Sequence, residues 1–250
     1  MRTVRISLAL ALLTFGALSA GAQSFSRNGA PPSVPPSAAP APITVVGPTS
    51  ITQSTNATTV SPGTVSCNNG AGGGFLHADN SYFRAFTLSS FNPPLNQTQF
   101  MVQSVTIGIE TANASGTGTT QPITINIFNS TANPPTNASL GSALSTVTVQ
   151  VPDQSSSLLT IPLTTQPVFT VASGILVVEI FTPNGQTAGH SFFVGSNALG
   201  QSGPTFIRSV PCGISEITNM AAIGFPNVHL VMTVNGNSQM PVELQSYSID

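Results

Sequence analysis

The sequence predicts an all-β protein, an antiparallel two-sheet β-sandwich or jelly roll. Three observations carry this. Short runs alternate apolar and polar residues with period two, turn clusters rich in Gly, Pro and Asn separate them, and no segment shows a capped helical period. Val105, Ile107 and Ile109 alternate with Thr106, Gly108 and Glu110; Ile123, Ile125 and Ile127 alternate with Thr124 and Asn126; Val147, Val149 and Val151 alternate with Thr148 and Gln150. Successive side chains of a strand point to opposite faces, so each run has one buried and one wet face. Residues 175–181 are apolar on both faces except at Glu179, the pattern of a central strand. Val228, Leu230, Met232 and Val234 make a last strand before Asn235-Gly236, and further strands are expected near 51–59, 82–88, 158–163, 191–194 and 205–208. The turns fall at Asn113 to Gly118, Asn133-Pro134-Pro135 and Pro183-Asn184-Gly185.

Four segments follow. Residues 1–22 read as a signal peptide: Arg2 and Arg5 precede a short apolar run, and Ala20-Gly21-Ala22 fits the small-x-small cleavage rule near Ala22. The run is shorter than the roughly 20 residues a membrane span needs, so a cleaved, secreted, extracellular product is expected. Residues 23–48 hold Pro31, Pro32, Pro35, Pro36, Pro40 and Pro42 and read as an extended Pro/Ser/Ala-rich linker. Residues 49–236 form the sandwich domain, and 237–250 a C-terminal tail or one extra edge strand. Cys67 and Cys212 are the only two cysteines, and an oxidising compartment pairs them.

Composition excludes several functions. Of 250 residues only 5 are Lys or Arg and 7 are Asp or Glu, and all five basic residues are arginines. A nucleic-acid partner needs a basic patch to release counterions, which this chain cannot build. Ser and Thr number 31 and 30, so hydroxyls rather than charges must solvate the wet faces.

Patterns that carry chemistry are few. The three histidines, His77, His190 and His229, stand among many serines, and no Gly-x-Ser-x-Gly elbow occurs. No zinc spacing is present, and no resident metal or cofactor is expected. The Gly-rich loop before Asp79 and Asn80 could expose carbonyls to Ca2+, with a single nearby carboxylate for weak binding. Glu110 and Glu179, both in strands, are the candidate acid pair of a glycoside hydrolase. A blander role for Glu179 is an ion pair with Arg84, which alternates with Tyr82 and Phe86. With no Trp and two Tyr, the aromatic surface that grips sugar rings is scarce, and the 14 Phe fall mostly in strand patterns and read as core.

Several stretches carry a family resemblance: Ser66-Cys67 with its Gly-rich loop, the run from Asp79 to Phe86, the run from Val105 to Glu110, Pro211-Cys212-Gly213, and the run from Gly224 to Leu230. Together they resemble a jelly-roll-like β-sandwich module of secreted bacterial proteins, often found beside hydrolase or adhesin domains. The resemblance implies the fold over most of residues 51–236 and no settled activity. The ending from Pro241 to Tyr247 resembles the first strand of a following immunoglobulin-like or sorting domain. The expected function is thus a secreted, non-enzymatic module for extracellular interaction, structure or adhesion, with an extracellular protein or glycan as partner. Two alternatives stand beside it: a carbohydrate- or polymer-binding jelly roll with structural calcium, and a hydrolase using Glu110 and Glu179.

Overall fold

The computed structural model describes residues 48–91, 95, 98–116 and 118–239. The expected signal peptide, the Pro-rich linker up to residue 47, and residues 240–250 of the tail lie outside the described residues. Among the described residues fourteen strands follow in order: β1 Pro48–Thr52, β2 Asn80–Thr87, β3 Gln99–Asn113, β4 Thr120–Asn129, β5 Ser145–Pro152, β6 Gln154–Pro162, β7 Val168–Thr170, β8 Ile175–Thr182, β9 Ser191–Val194, β10 Ser196–Asn197, β11 Phe206–Ser209, β12 Ile214–Asn219, β13 His229–Leu230 and β14 Met232–Gln239. The one α-helical turn among the described residues, α1, spans Asn137–Leu140.

The strands form two six-stranded sheets, and the pairings are antiparallel. The first runs β1-β14-β3-β6, with β7 and β9 also paired to β3; the second runs β12-β11-β2-β8-β4-β5. β10 and β13 form a separate two-stranded ladder. Between the sheets lies the main core. Val105, Ile107, Ile109, Ile161, Met232 and Val234 from the first sheet meet Tyr82, Phe86, Ile123, Ile125, Ile127, Val178 and Ile180 from the second. Val105, Ile107, Ile109, Ile123, Ile125, Ile127, Met232 and Val234 are alternating positions expected from the sequence, and the sandwich fold class holds.

Three expectations need correction. Pro48 belongs not to the linker but to β1, where as the first residue it pairs with Asn237. Asn235-Gly236 does not end the last strand, nor does the domain end at 236. Instead β14 continues to Gln239, and the two residues sit at a register shift: Asn235 faces Ser104 and Gly236 faces Val102, so Gln103 of β3 has no counterpart on β14. A β-bulge of this kind resets the alternation. That is why β3, 15 residues long, showed only its second half as a clean pattern. Glycine is required at 236 because a Cβ there would stand 2.1 Å from the Met101 carbonyl oxygen.

The third correction concerns the wet face of the second sheet, which is partly covered. Phe83, Ala85, Phe128, Val177 and Phe206 point away from the main core and bury themselves against Leu140 and Ile217. Leu140 comes from α1, whose start is fixed by a capping box in which Thr136 and Ser139 exchange side-chain and backbone hydrogen bonds. One helical turn is too short to show a period in the sequence, and β12 carries too few buried positions to announce itself.

Candidate functional site

The only salt bridge among the described residues lies on that partly covered face. Arg208 on β11 donates from Nη2 to Glu179 Oε1 on β8 at 3.0 Å. Its Nη1 donates to Asn137 Oδ1 at 3.1 Å, and its guanidinium lies 5.5 Å above the Phe83 ring. Glu179 Oε2 accepts from Asn126 at 2.9 Å, and Asn126 in turn accepts from Thr146. One chain of polar contacts thus links β5, β4, β8, β11 and α1.

The expected Arg84–Glu179 pair does not form. In the β2–β8 ladder Arg84 pairs with Val178, and Phe83 with Glu179. Opposite partners share a face, so Arg84 turns toward the main core and Glu179 away from it. Arg84 is fully buried and donates to the carbonyl oxygens of Gly203 and Leu230 at 2.6 Å each, while its Nε has no partner. Burial lowers its pKa to about 10. Two carbonyl dipoles, not a carboxylate, hold this cation.

Glu110 and Glu179 are not brought together. They stand on different sheets, and Glu179 faces away from the one that carries Glu110. The Glu110 carboxylate accepts the backbone N–H groups of Gly63 (3.3 Å) and Thr64 (2.8 Å), so it braces a loop.

Asp79 and Asn80 are braces too. Asn80 is buried; its Oδ1 accepts from Cys67 N at 2.8 Å, and its Nδ2 donates to the carbonyl oxygens of Cys67 and Ala78 and to the Ser66 hydroxyl. Asp79 Oδ1 accepts from Asn184 N at 2.7 Å. The Asn80 side chain thus holds the segment that carries Cys67, and the Asp79 carboxylate holds the loop at Asn184. The Cys67 segment is tied to the turn between β11 and β12 through the Cys67–Cys212 disulfide, with Cα atoms 5.9 Å apart and a sequence separation of 145. Beside it, His77 is buried and its ring Nδ1 lies 3.0 Å from the His190 carbonyl oxygen; burial lowers its pKa below the usual 6.5. Tyr82, wholly buried, donates its hydroxyl to the Val65 carbonyl, and burial raises its pKa.

A cleft of about 390 Å3 opens between three segments, residues 61–63, β10 with the bend that follows it (196–199), and 224–228. No ionisable side chain lines it. Phe225 and Leu199 stand at its walls, 40% and 53% exposed. Each segment is pinned from behind. Glu110 holds residues 63 and 64. Asn197 donates to the carbonyl oxygens of Asn56 and Thr59 at 2.9 Å and accepts from Leu199 N at 3.0 Å. His229 Nδ1 accepts from Gly200 N at 3.0 Å while Nε2 faces the Pro226 carbonyl at 3.2 Å, an arrangement that suits the Nε2–H tautomer. The hydroxyls of Thr64 and Ser196 are hydrogen-bonded behind the cleft floor. Sequence reasoning missed this site. Phe225 stands between Gly224 and Pro226, a loop signal that sets it apart from the Phe residues in strand patterns.

Fold and site together define an all-β sandwich with an uncharged, pre-formed cleft at its loops. No family model, no curated protein and no solved structure matches this chain.

Proposed function

We propose that the chain is an exported, non-enzymatic β-sandwich module for extracellular interaction or adhesion. The observation that carries this reading is the Cys67–Cys212 disulfide. Disulfides form and persist in oxidising compartments, and this one joins segments far apart in sequence. The n-region arginines and Ala20-Gly21-Ala22 supply the export route, and the hydroxyl-rich wet strands supply solubility without charge. The candidate acids have bracing roles: Glu179 is neutralised by Arg208 and Glu110 holds a loop. The test is to express the full chain in a bacterial host and recover it from outside the cytoplasm. N-terminal sequencing is expected to start near Gln23, and thiol titration to find no free thiol. A chain retained in the cytoplasm with Met1 intact and two free thiols overturns the reading.

A second reading, a carbohydrate- or polymer-binding jelly roll, is favoured by one observation. Phe225 offers a half-exposed aromatic ring at the wall of an uncharged cleft. Rings of this kind give a ligand a large apolar face.

A further inference from the structure

We infer that the cleft between residues 61–63, 196–199 and 224–228 is a binding site for a neutral pyranose ring, with Phe225 as its stacking face. The inference rests on the interaction reading above and names the surface and the ligand class.

Size comes first. About 390 Å3 lies within the roughly 300–1,000 Å3 typical of small-molecule sites. Charge then selects the ligand. The lining holds no ionisable group, so a phosphate, carboxylate or amine would lose its hydration without meeting a counter-charge. A sugar ring has no charge to desolvate, and it has one apolar face. Phe225 matches that face. It is exposed although its backbone is fixed, its N–H donating to the Met220 carbonyl at 2.9 Å. Gly224, at φ +95°, makes the left-handed turn that precedes the ring. Leu199 stands on the facing loop and leaves a second apolar wall.

Hydroxyl recognition needs open polar groups at the rim. Asn227 is exposed, and its amide makes no hydrogen bond among the described residues. It presents both a donor and an acceptor, as a sugar hydroxyl requires. Glu110, Asn197 and His229 turn their polar atoms to the loop backbones and fix the loops. Loops held in place before binding lose little freedom on binding, so a shallow neutral site keeps its affinity.

The experiment uses the exported full chain and a panel of neutral oligosaccharides: cellohexaose, chitohexaose, xylohexaose and mannohexaose. Binding is read by saturation-transfer NMR and titration calorimetry. At least one is expected to bind, and Phe225→Ala to weaken it about tenfold or more, the scale of one lost aromatic contact. Phe75→Ala removes a ring that is 48% exposed outside the cleft and is expected to change nothing. Should Phe225→Ala lower the melting temperature, Asn227→Ala on the rim takes its place and is expected to weaken binding as well. Silence across the panel overturns the site, and so does undiminished binding by these variants. A Phe225-dependent dimer in sedimentation also overturns it, assigning the cleft to a second copy. None of these outcomes touches the export and thiol results, which fail independently.

Discussion

Arg208 reaches across β2 to Glu179, two strands away, with its guanidinium laid over the Phe83 ring between them. Glu179 is nearly buried, its side chain 5% exposed, whereas Arg208 keeps 31%. Removing the arginine leaves a buried carboxylate whose remaining partner is Asn126. Breaking a fully buried pair costs 3–5 kcal/mol, and the partial exposure of Arg208 lowers the expectation for Arg208→Ala to about 2 kcal/mol. Urea unfolding measures it. The double variant Arg208→Met with Glu179→Leu is expected to recover most of the loss, because it leaves no orphaned charge. A single variant as stable as the parent contradicts the bracing role.

The disulfide closes a loop with a sequence separation of 145. In the chain-entropy model a loop of this size stabilises the fold by about 4–5 kcal/mol. Cys67→Ser with Cys212→Ser is expected to lose about that much at equilibrium. A domain is stable by only about 5–15 kcal/mol, so the double variant is expected to melt far below the parent. An unchanged denaturant midpoint would refute this.

Acid is expected to weaken the clasp at His77. Its folded-state pKa lies below 6.5 because burial disfavours the cation. The unfolded chain therefore binds the proton more readily. Stability from this group is complete above about pH 6.5 and falls as the pH drops from there toward the lowered folded value. His77→Gln is expected to flatten that part of the stability–pH curve. Denaturation at steps between pH 7.5 and 5, comparing slopes, is the measurement. Equal slopes in parent and variant would assign the acid response to other groups.

At the bulge of β14 and β3, Gly236→Ala is expected to destabilise by about 1–3 kcal/mol, the range for overpacking. The added methyl would meet the Met101 carbonyl at 2.1 Å and the Phe100 ring at 2.9 Å. Backbone cannot yield as a flexible side chain does. Thermal melting of the variant decides it, and a melting temperature within experimental error of the parent contradicts the close approach.

Period-two alternation made the sandwich legible. Val105, Ile107 and Ile109 face the core as their spacing required, and the cysteine pair was fixed by there being no other partner. Register was not legible. Alternation tells which residues of one strand share a face, but whether Arg84 and Glu179 meet depends on pairing parity between two strands. The ladder places Arg84 opposite Val178, one position away, so the two side chains take opposite faces. The true partner of Glu179 sits on β11, and nothing local in the sequence announces a contact across an intervening strand. The cleft was hidden for a related reason. Its loops are brought together only by the fold, and Phe225 has the composition of a core residue in a position that keeps it out of the core.

β1 and β14 lie side by side and antiparallel, with Pro48 opposite Asn237, so the two ends of the described domain leave it as neighbours. Tension applied to those ends pulls the two strands apart like a zipper, loading one ladder bond at a time rather than all together. The first strand pair would therefore yield at low force. The Cys67–Cys212 bridge then short-circuits the chain between its two sulfurs, and only the residues outside that loop can pay out as slack. Under mechanical load the domain would behave as a short, soft extension in series with a covalent stop.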